Sequence, residues 1–140
     1  MHSKAVLTQT EVSLIVQAAR AEAQRNQWAV TIAVADDGGH PLALERLDGC
    51  APVSAYIATE KARTAALGRR ESKAYEDMIN GGRTAFLSVP VLSATLEGGV
   101  PIHVAGQVVG AIGVSGVKPE QDAQIARAGA AALAHLSEPT

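Results

Sequence analysis

The chain has 140 residues, enough for one ordinary core, and is 47% apolar but 3% aromatic, so alanine, valine, leucine and isoleucine must fill its interior. A net charge of −2 with a pI near 6.1 gives no electrostatic footprint for nucleic acid or an anionic membrane surface, and neither partner is expected. The single cysteine, Cys50, excludes an internal disulfide and a cysteine-rich zinc site; with no signal-peptide core and no apolar run near the roughly 20 residues of a spanning helix, a cytoplasmic chain forming one domain over 1–140 is expected.

Thr8-Gln9-Thr10-Glu11 has capping-box spacing and predicts a helix start. Val12, Ile15, Val16, Ala19 and Ala23 then recur at three- and four-residue intervals, an amphipathic helix to about Gln27. From Trp28 to Ala35 the period changes to two, and Asp36-Asp37-Gly38-Gly39 follows as a turn into a second extended segment, Pro41 to Leu47, so 28–47 reads as an antiparallel hairpin. Ala51 to Leu67 is alanine-rich and predicts a second long helix closed by Gly68 as its C-terminal glycine. Glu71 to Ile79 reads as a short third helix ended by Asn80-Gly81-Gly82. Arg83 to Leu96 shows no period beyond a short strand around Pro90 to Ala94. Val100 to Val104 and Gln107 to Ser115 form a second hairpin about Ala105-Gly106, and a last helix runs from Pro119 to Leu136 with Ile125, Gly129, Ala132, Leu133 and Leu136 on one face. Central hairpins flanked by helices give an α+β domain on an antiparallel sheet.

Four stretches in order, AVADDGGHPLALERLDG (33–49), IATEKARTA (57–65), GGVPIHVAGQVVGAIGVSG (98–116) and EQDAQIARAG (120–129), resemble the GlcG/HbpS-like family across nearly the whole chain. That family includes glycolate-operon proteins, haem-binding proteins and a domain of corrinoid adenosyltransferases. The resemblance implies a profilin-like fold with a five-stranded antiparallel sheet, helices on its faces and assembly into symmetric homo-oligomers. It also implies a ligand, haem or a related tetrapyrrole being the family's suggestion and another small anion the general one.

The glycines of 97–116 raise two readings, since glycine in a strand marks either close approach of another backbone or the floor of a ligand site. Gly98, Gly99 and Gly113, with Ser115, are the candidates for that floor. His103, in this hairpin and with a pKa ordinarily near neutrality, is the candidate ligand or acid–base group; alternatively it faces solvent at a strand edge. Lys61, in the alanine-rich helix, and Arg46 could together hold a carboxylate or a haem propionate, or else form internal ion pairs with Asp36, Asp48 or Glu60. Gln121 and Asp122 sit in the first turn of the last helix, where a carboxylate caps free amides. Cys50 reads as a small buried residue, His40 as a loop residue, and His2 and His135 as terminal; these four scattered histidines have no zinc spacing, so no metal is expected. Three functions remain open: a ligand-binding oligomer using Arg46, Lys61, His103 and the glycine strand; an isomerase or tautomerase of small organic acids in which His103 or Lys61 moves a proton; and an accessory protein without pocket chemistry.

Overall fold

A computed structural model describes the backbone of residues 1–137 and the side chains of residues 1–135. The expected place of the Leu136 side chain on the last helix's apolar face therefore lies outside the described side chains.

Helix α1 spans Gln9–Arg25, and the Glu11 carboxylate accepts hydrogen bonds from both the backbone N–H (2.8 Å) and the hydroxyl of Thr8, fixing the predicted start. Strands β1 (Thr31–Asp36) and β2 (Pro41–Arg46) form the first hairpin. The Asp36 carboxylate shapes its turn by accepting the backbone N–H groups of Gly38 and His40, both at 2.9 Å, while Gly39 takes a φ of 80°. Helix α2 covers Val53–Gly68 and α3 Lys73–Asn80. The second hairpin is β3 (Gly99–Val104) and β4 (Gln107–Ser115), and α4 follows over Pro119–Ala130 with proline in its first turn.

The sheet is antiparallel and has four strands in the order β2-β1-β4-β3, which corrects the expected five. The missing strand is the one sought around Pro90 to Ala94. Thr84–Ser88 winds into a 3-10 turn, and both Val91 and Ala94 take positive φ (65° and 49°), a backbone that cannot lie extended along a sheet.

Two other boundaries differ for physical reasons. Gly68 is the last residue of α2 rather than the glycine beyond its end, and Arg69 adopts the left-handed conformation (φ 57°). Glycine is needed at 68 because a Cβ there would lie 2.1 Å from the Tyr75 hydroxyl, so α3 packs directly on that backbone. The last helix tightens after Ala130 into a 3-10 turn over Ala131–Ser137, which leaves Leu133 fully buried in the main core.

The two faces of the sheet are covered differently. Helices α1 and α4 lie on one face, where Ile15, Ile32, Ile112, Ile125 and Leu133 build the main core. Helix α2 lies on the other, where the contacts are Ala33, Ala35, Ala58 and Ala62, with Ala65, Ala66 and Ala111 beyond them. Strand alternation sorts the residues: Ile32 and Val34 point one way, Thr31, Ala33 and Ala35 the other.

Candidate functional site

Directly opposed residues share a face of a sheet, so the register lays out rows under α2. One row is Leu44, Ala33, Gly113 and Gly99, and the next toward the strand end is Arg46, Thr31 and Ser115. A Cβ on Gly113 would stand 2.1 Å from the Ala58 carbonyl oxygen and 2.5 Å from the Ala62 nitrogen, and one on Gly99 would stand 2.3 Å from the Lys61 carbonyl oxygen. These two glycines form the seat of the α2 backbone, which is the close-approach reading of the strand glycines.

Lys61 follows from this seat. Its side chain runs beneath α2 at 3% exposure, and its ammonium donates to the Val114 carbonyl (2.9 Å) and to Asp122 Oδ2 (3.1 Å). Gly98, at a φ of 132°, leaves room for that ammonium, since a Cβ there would lie 2.7 Å from Nζ. The partner is Asp122 from the start of α4, not Asp36, Asp48 or Glu60. Asp122 does more than cap: Oδ1 accepts the Val117 N–H (3.1 Å) while Oδ2 meets Lys61. Burial drives the Asp122 carboxyl above the usual aspartate range even though Lys61 pulls it down. Gln121 shares the capping, its Oε1 accepting the Lys118 N–H (3.3 Å).

Arg46 sits at the end of edge strand β2, exposed, and lines two clefts. One, of about 530 Å³, opens toward α1 and includes Gln24, Gln27 and Trp28; the other, of about 470 Å³, lies between β2 and α2 and includes Leu44, Ala55, Tyr56 and Glu60. Its neighbours Thr31 and Ser54 are buried and share a hydrogen bond (2.7 Å), with Cys50 half-buried beside them, its sulfur 2.8 Å from the Ser54 hydroxyl.

His103 occupies the opposite end of the sheet. It pairs with Val108, whereas Arg46 shares a row with Ser115; from 108 to 115 along β4 is about 24 Å at the rise of an antiparallel strand. A register shift between Ile102 and His103 turns the histidine outward, and it is exposed. Around it a cleft of about 630 Å³ is lined by His2, Lys4, Asp37, Arg69, Gln107 and Val108. The N-terminal segment is tied across it by a bond from Gln107 Nε2 to the Ser3 carbonyl (3.3 Å) and by the Lys4–Asp37 ion pair. Arg69, placed by its left-handed backbone at the end of α2, donates to the Asp37 carbonyl and brings its guanidinium 3.8 Å from the Asp37 carboxylate. The hydrogen bond from Lys4 holds the Asp37 carboxyl below its ordinary range.

Arg46, Lys61 and His103 therefore do not share a cleft. Lys61, Gly98, Gly99, Gly113 and Ser115 gather under α2, while Arg46 and His103 stand at opposite ends of the sheet. The remaining histidines lie elsewhere: His40 pairs with Asp36 in the first hairpin turn (3.1 Å), and His135 is exposed beyond α4. Lys4, Asp37 and Arg69 carry no signal along the chain because they meet only in three dimensions, from the N-terminal segment, a turn and a helix end, and His2, terminal in sequence, joins them in this cleft. Among the described residues no three His, Cys, Asp or Glu side chains are grouped to hold a metal ion, and no helix is long and apolar enough to cross a membrane.

Comparison with known proteins agrees with this architecture. The family model described as haem degrading protein HbpS-like matches residues 7–131. Protein GlcG of Escherichia coli K12 is 62% identical over 115 residues, covering 82% of this chain and 85% of that protein. Among solved structures, a double mutant of Streptomyces reticuli HbpS superposes with a TM-score of 0.85 at 31% identity, covering 95% of this chain and 90% of that one. A PduOC:heme complex superposes with a TM-score of 0.81 at 27% identity, covering 91% and 95%. With the family model spanning all four helices and both hairpins, the chain belongs to the HbpS-like family.

Proposed function

We propose that the protein is a ligand-binding member of its family that takes haem, or another tetrapyrrole bearing carboxylates, in the cleft around His103. The observation that carries this reading is the convergence of an imidazole with two cationic side chains, Lys4 and Arg69, in one cleft of about 630 Å³, within the size range of small-molecule sites. The donor set fits the group: His103 would supply an imidazole nitrogen to hold the iron, Lys4 and Arg69 would supply partners for propionates, and Val108 adds an apolar wall. Asp37 holds the two cations in place and leaves the trio with one net positive charge. Bound haem would supply the iron's redox and ligand chemistry; the chain's part is to bind and orient it. The relative solved with heme supports the same reading.

The organic-acid enzyme finds less support, because Lys61 lines none of the three clefts and its ammonium is engaged by Asp122. We place the protein in the cytoplasm as a homo-oligomer; the exposed Leu87, Val91 and Leu96 of the segment outside the sheet favour assembly, which light scattering on the purified protein measures.

The test is a haemin titration followed at the Soret band. A saturable, shifted band is expected, lost in His103→Ala and weakened several-fold in Lys4→Gln and Arg69→Gln. No shift at micromolar protein, or an unchanged shift in His103→Ala, would overturn the assignment to this cleft.

A further inference from the structure

Beyond the His103 cleft, the structure holds a second concave site with its own chemistry, the groove of about 470 Å³ between edge strand β2 and α2. Its walls come from two elements. Leu44 and Arg46, two residues apart on β2, point to the α2 side, and Pro52, Ala55, Tyr56, Thr59 and Glu60 face them from α2. The apolar part is left open to solvent: Leu44 is 54% exposed and Tyr56 77%, although Ala33 in the row of Leu44 and Ala58 and Ala62 of α2 are buried against the sheet.

Among the described residues, two polar side chains of this groove carry no partner, the solvent-facing Tyr56 hydroxyl and the Arg46 guanidinium, and the others are engaged. Thr59 donates its hydroxyl to the Ala55 carbonyl (2.8 Å). Glu60 accepts from Arg63 (3.2 Å) and from the Ser93 hydroxyl (2.9 Å). The Arg46 guanidinium makes no hydrogen bond or ion pair among the described residues, whereas Arg20, Arg25, Arg63, Arg69 and Arg127 all meet carboxylates. A guanidinium offers a planar fork of donors that matches a carboxylate in bidentate fashion, and an aromatic face beside an apolar wall accepts a flat ring.

We propose that the β2–α2 groove binds a monocarboxylate with a flat apolar body, the carboxylate on Arg46 and the body between Leu44, Ala55 and Tyr56. Charge complementarity selects this occupant: one uncommitted cation at the rim asks for one anion, and the apolar floor disfavours a fully hydrated one. The site is separate from the His103 cleft and does not depend on it, since the two lie at opposite ends of the sheet.

Calorimetric titration of the full chain with 2-naphthoate, and with 2-naphthamide as its neutral isostere, tests the proposal. Saturable binding of naphthoate is expected, at least tenfold tighter than the amide. Arg46→Gln should remove that preference, and Tyr56→Ala, at an exposed position, should weaken both ligands. Prior saturation with haemin should leave the naphthoate affinity unchanged. Equal affinity for amide and carboxylate, binding unaltered in Arg46→Gln, displacement by haemin, or no binding at millimolar naphthoate would each overturn the proposal. Self-association that disappears in Tyr56→Ala, with no naphthoate bound, would assign the groove to a second copy of the chain instead.

Discussion

The two faces of the sheet are built on opposite principles. Under α1 and α4 the contacts are isoleucine, valine and leucine, and stability comes from apolar area removed from water. Under α2 the contacts are alanine and glycine, and around them gather Thr31, Ser54, Lys61, Thr64, Ser72, Ser115 and Asp122, all buried. No buried side-chain nitrogen or oxygen among the described residues lacks a partner. A helix pressed within backbone contact of a sheet leaves no volume for aliphatic side chains, so that layer depends on close fit and on satisfied polar groups. The first face tolerates small changes of volume; the second tolerates neither an added atom nor a missing partner.

The sharpest way to break this contrast is to remove one member of the ion pair under α2. Lys61→Met leaves the Asp122 carboxylate buried without its counter-charge, a change that typically costs about 3–5 kcal/mol. Lys61→Met combined with Asp122→Asn should recover much of that loss, because the amide still accepts the Val117 N–H while no charge remains. Urea denaturation of the three proteins measures both numbers. A single mutant as stable as the parent would mean that the buried pair contributes nothing to this face.

Next in size is the glycine seat. Gly113→Ala puts a methyl group 2.1 Å from the Ala58 carbonyl, so α2 must move, and overpacking of this kind costs about 1–3 kcal/mol. Ile112→Val, at the neighbouring position but on the other face, removes one methyl from a fully buried side chain and should cost about 0.5–1.5 kcal/mol. Thermal melts of the pair set one face directly against the other. Unchanged melting in Gly113→Ala with loss of a bound ligand would return Gly113 to a ligand floor.

Most of the architecture is legible in the sequence, because helix and strand periods and turn glycines are local signals. The capping box at Thr8, both hairpins and Pro119 at the head of α4 are of that kind. The segment from Arg83 to Leu96 is not, since its conformation rests on positive φ at Val91 and Ala94, which β-branched and alanine side chains do not announce. The glycines of β3 and β4 fit either close approach or a ligand floor by sequence; only the register that sets Gly99 opposite Gly113 beneath Ala58 to Ala62 shows that α2 approaches them. The candidate sites were less legible still. Lys61 stands out in an alanine-rich helix, yet its partner is 61 positions away, and the cations beside His103 come from residues 4 and 69. Their meeting follows from topology, and no spacing along the chain encodes it.

The smallest effects titrate, and the two faces should do so in opposite directions. On the α1 side, the half-exposed Glu45 accepts two hydrogen bonds from Arg20, at 2.5 and 2.6 Å, and these hold its carboxyl below the ordinary glutamate range. Its folded form thus binds its proton more weakly than the unfolded chain does. The pair's stabilisation is present above the unfolded value and is lost as pH falls through the depressed folded one. Solvent screening keeps it below about 1 kcal/mol. On the α2 side, burial raises the Asp122 carboxyl, so the folded protein binds that proton more tightly than the unfolded chain. Between the raised folded value and the unfolded one, this group's contribution to stability grows as pH falls. Unfolding free energies of the parent, Glu45→Gln and Asp122→Asn, taken from neutral to mildly acidic pH, separate the two groups from the background of other carboxylates. The parent's advantage over Glu45→Gln should shrink on acidification, while its balance against Asp122→Asn should move in the parent's favour. Parallel slopes would mean that water reaches Asp122 and that the layer under α2 is wetter than its packing implies.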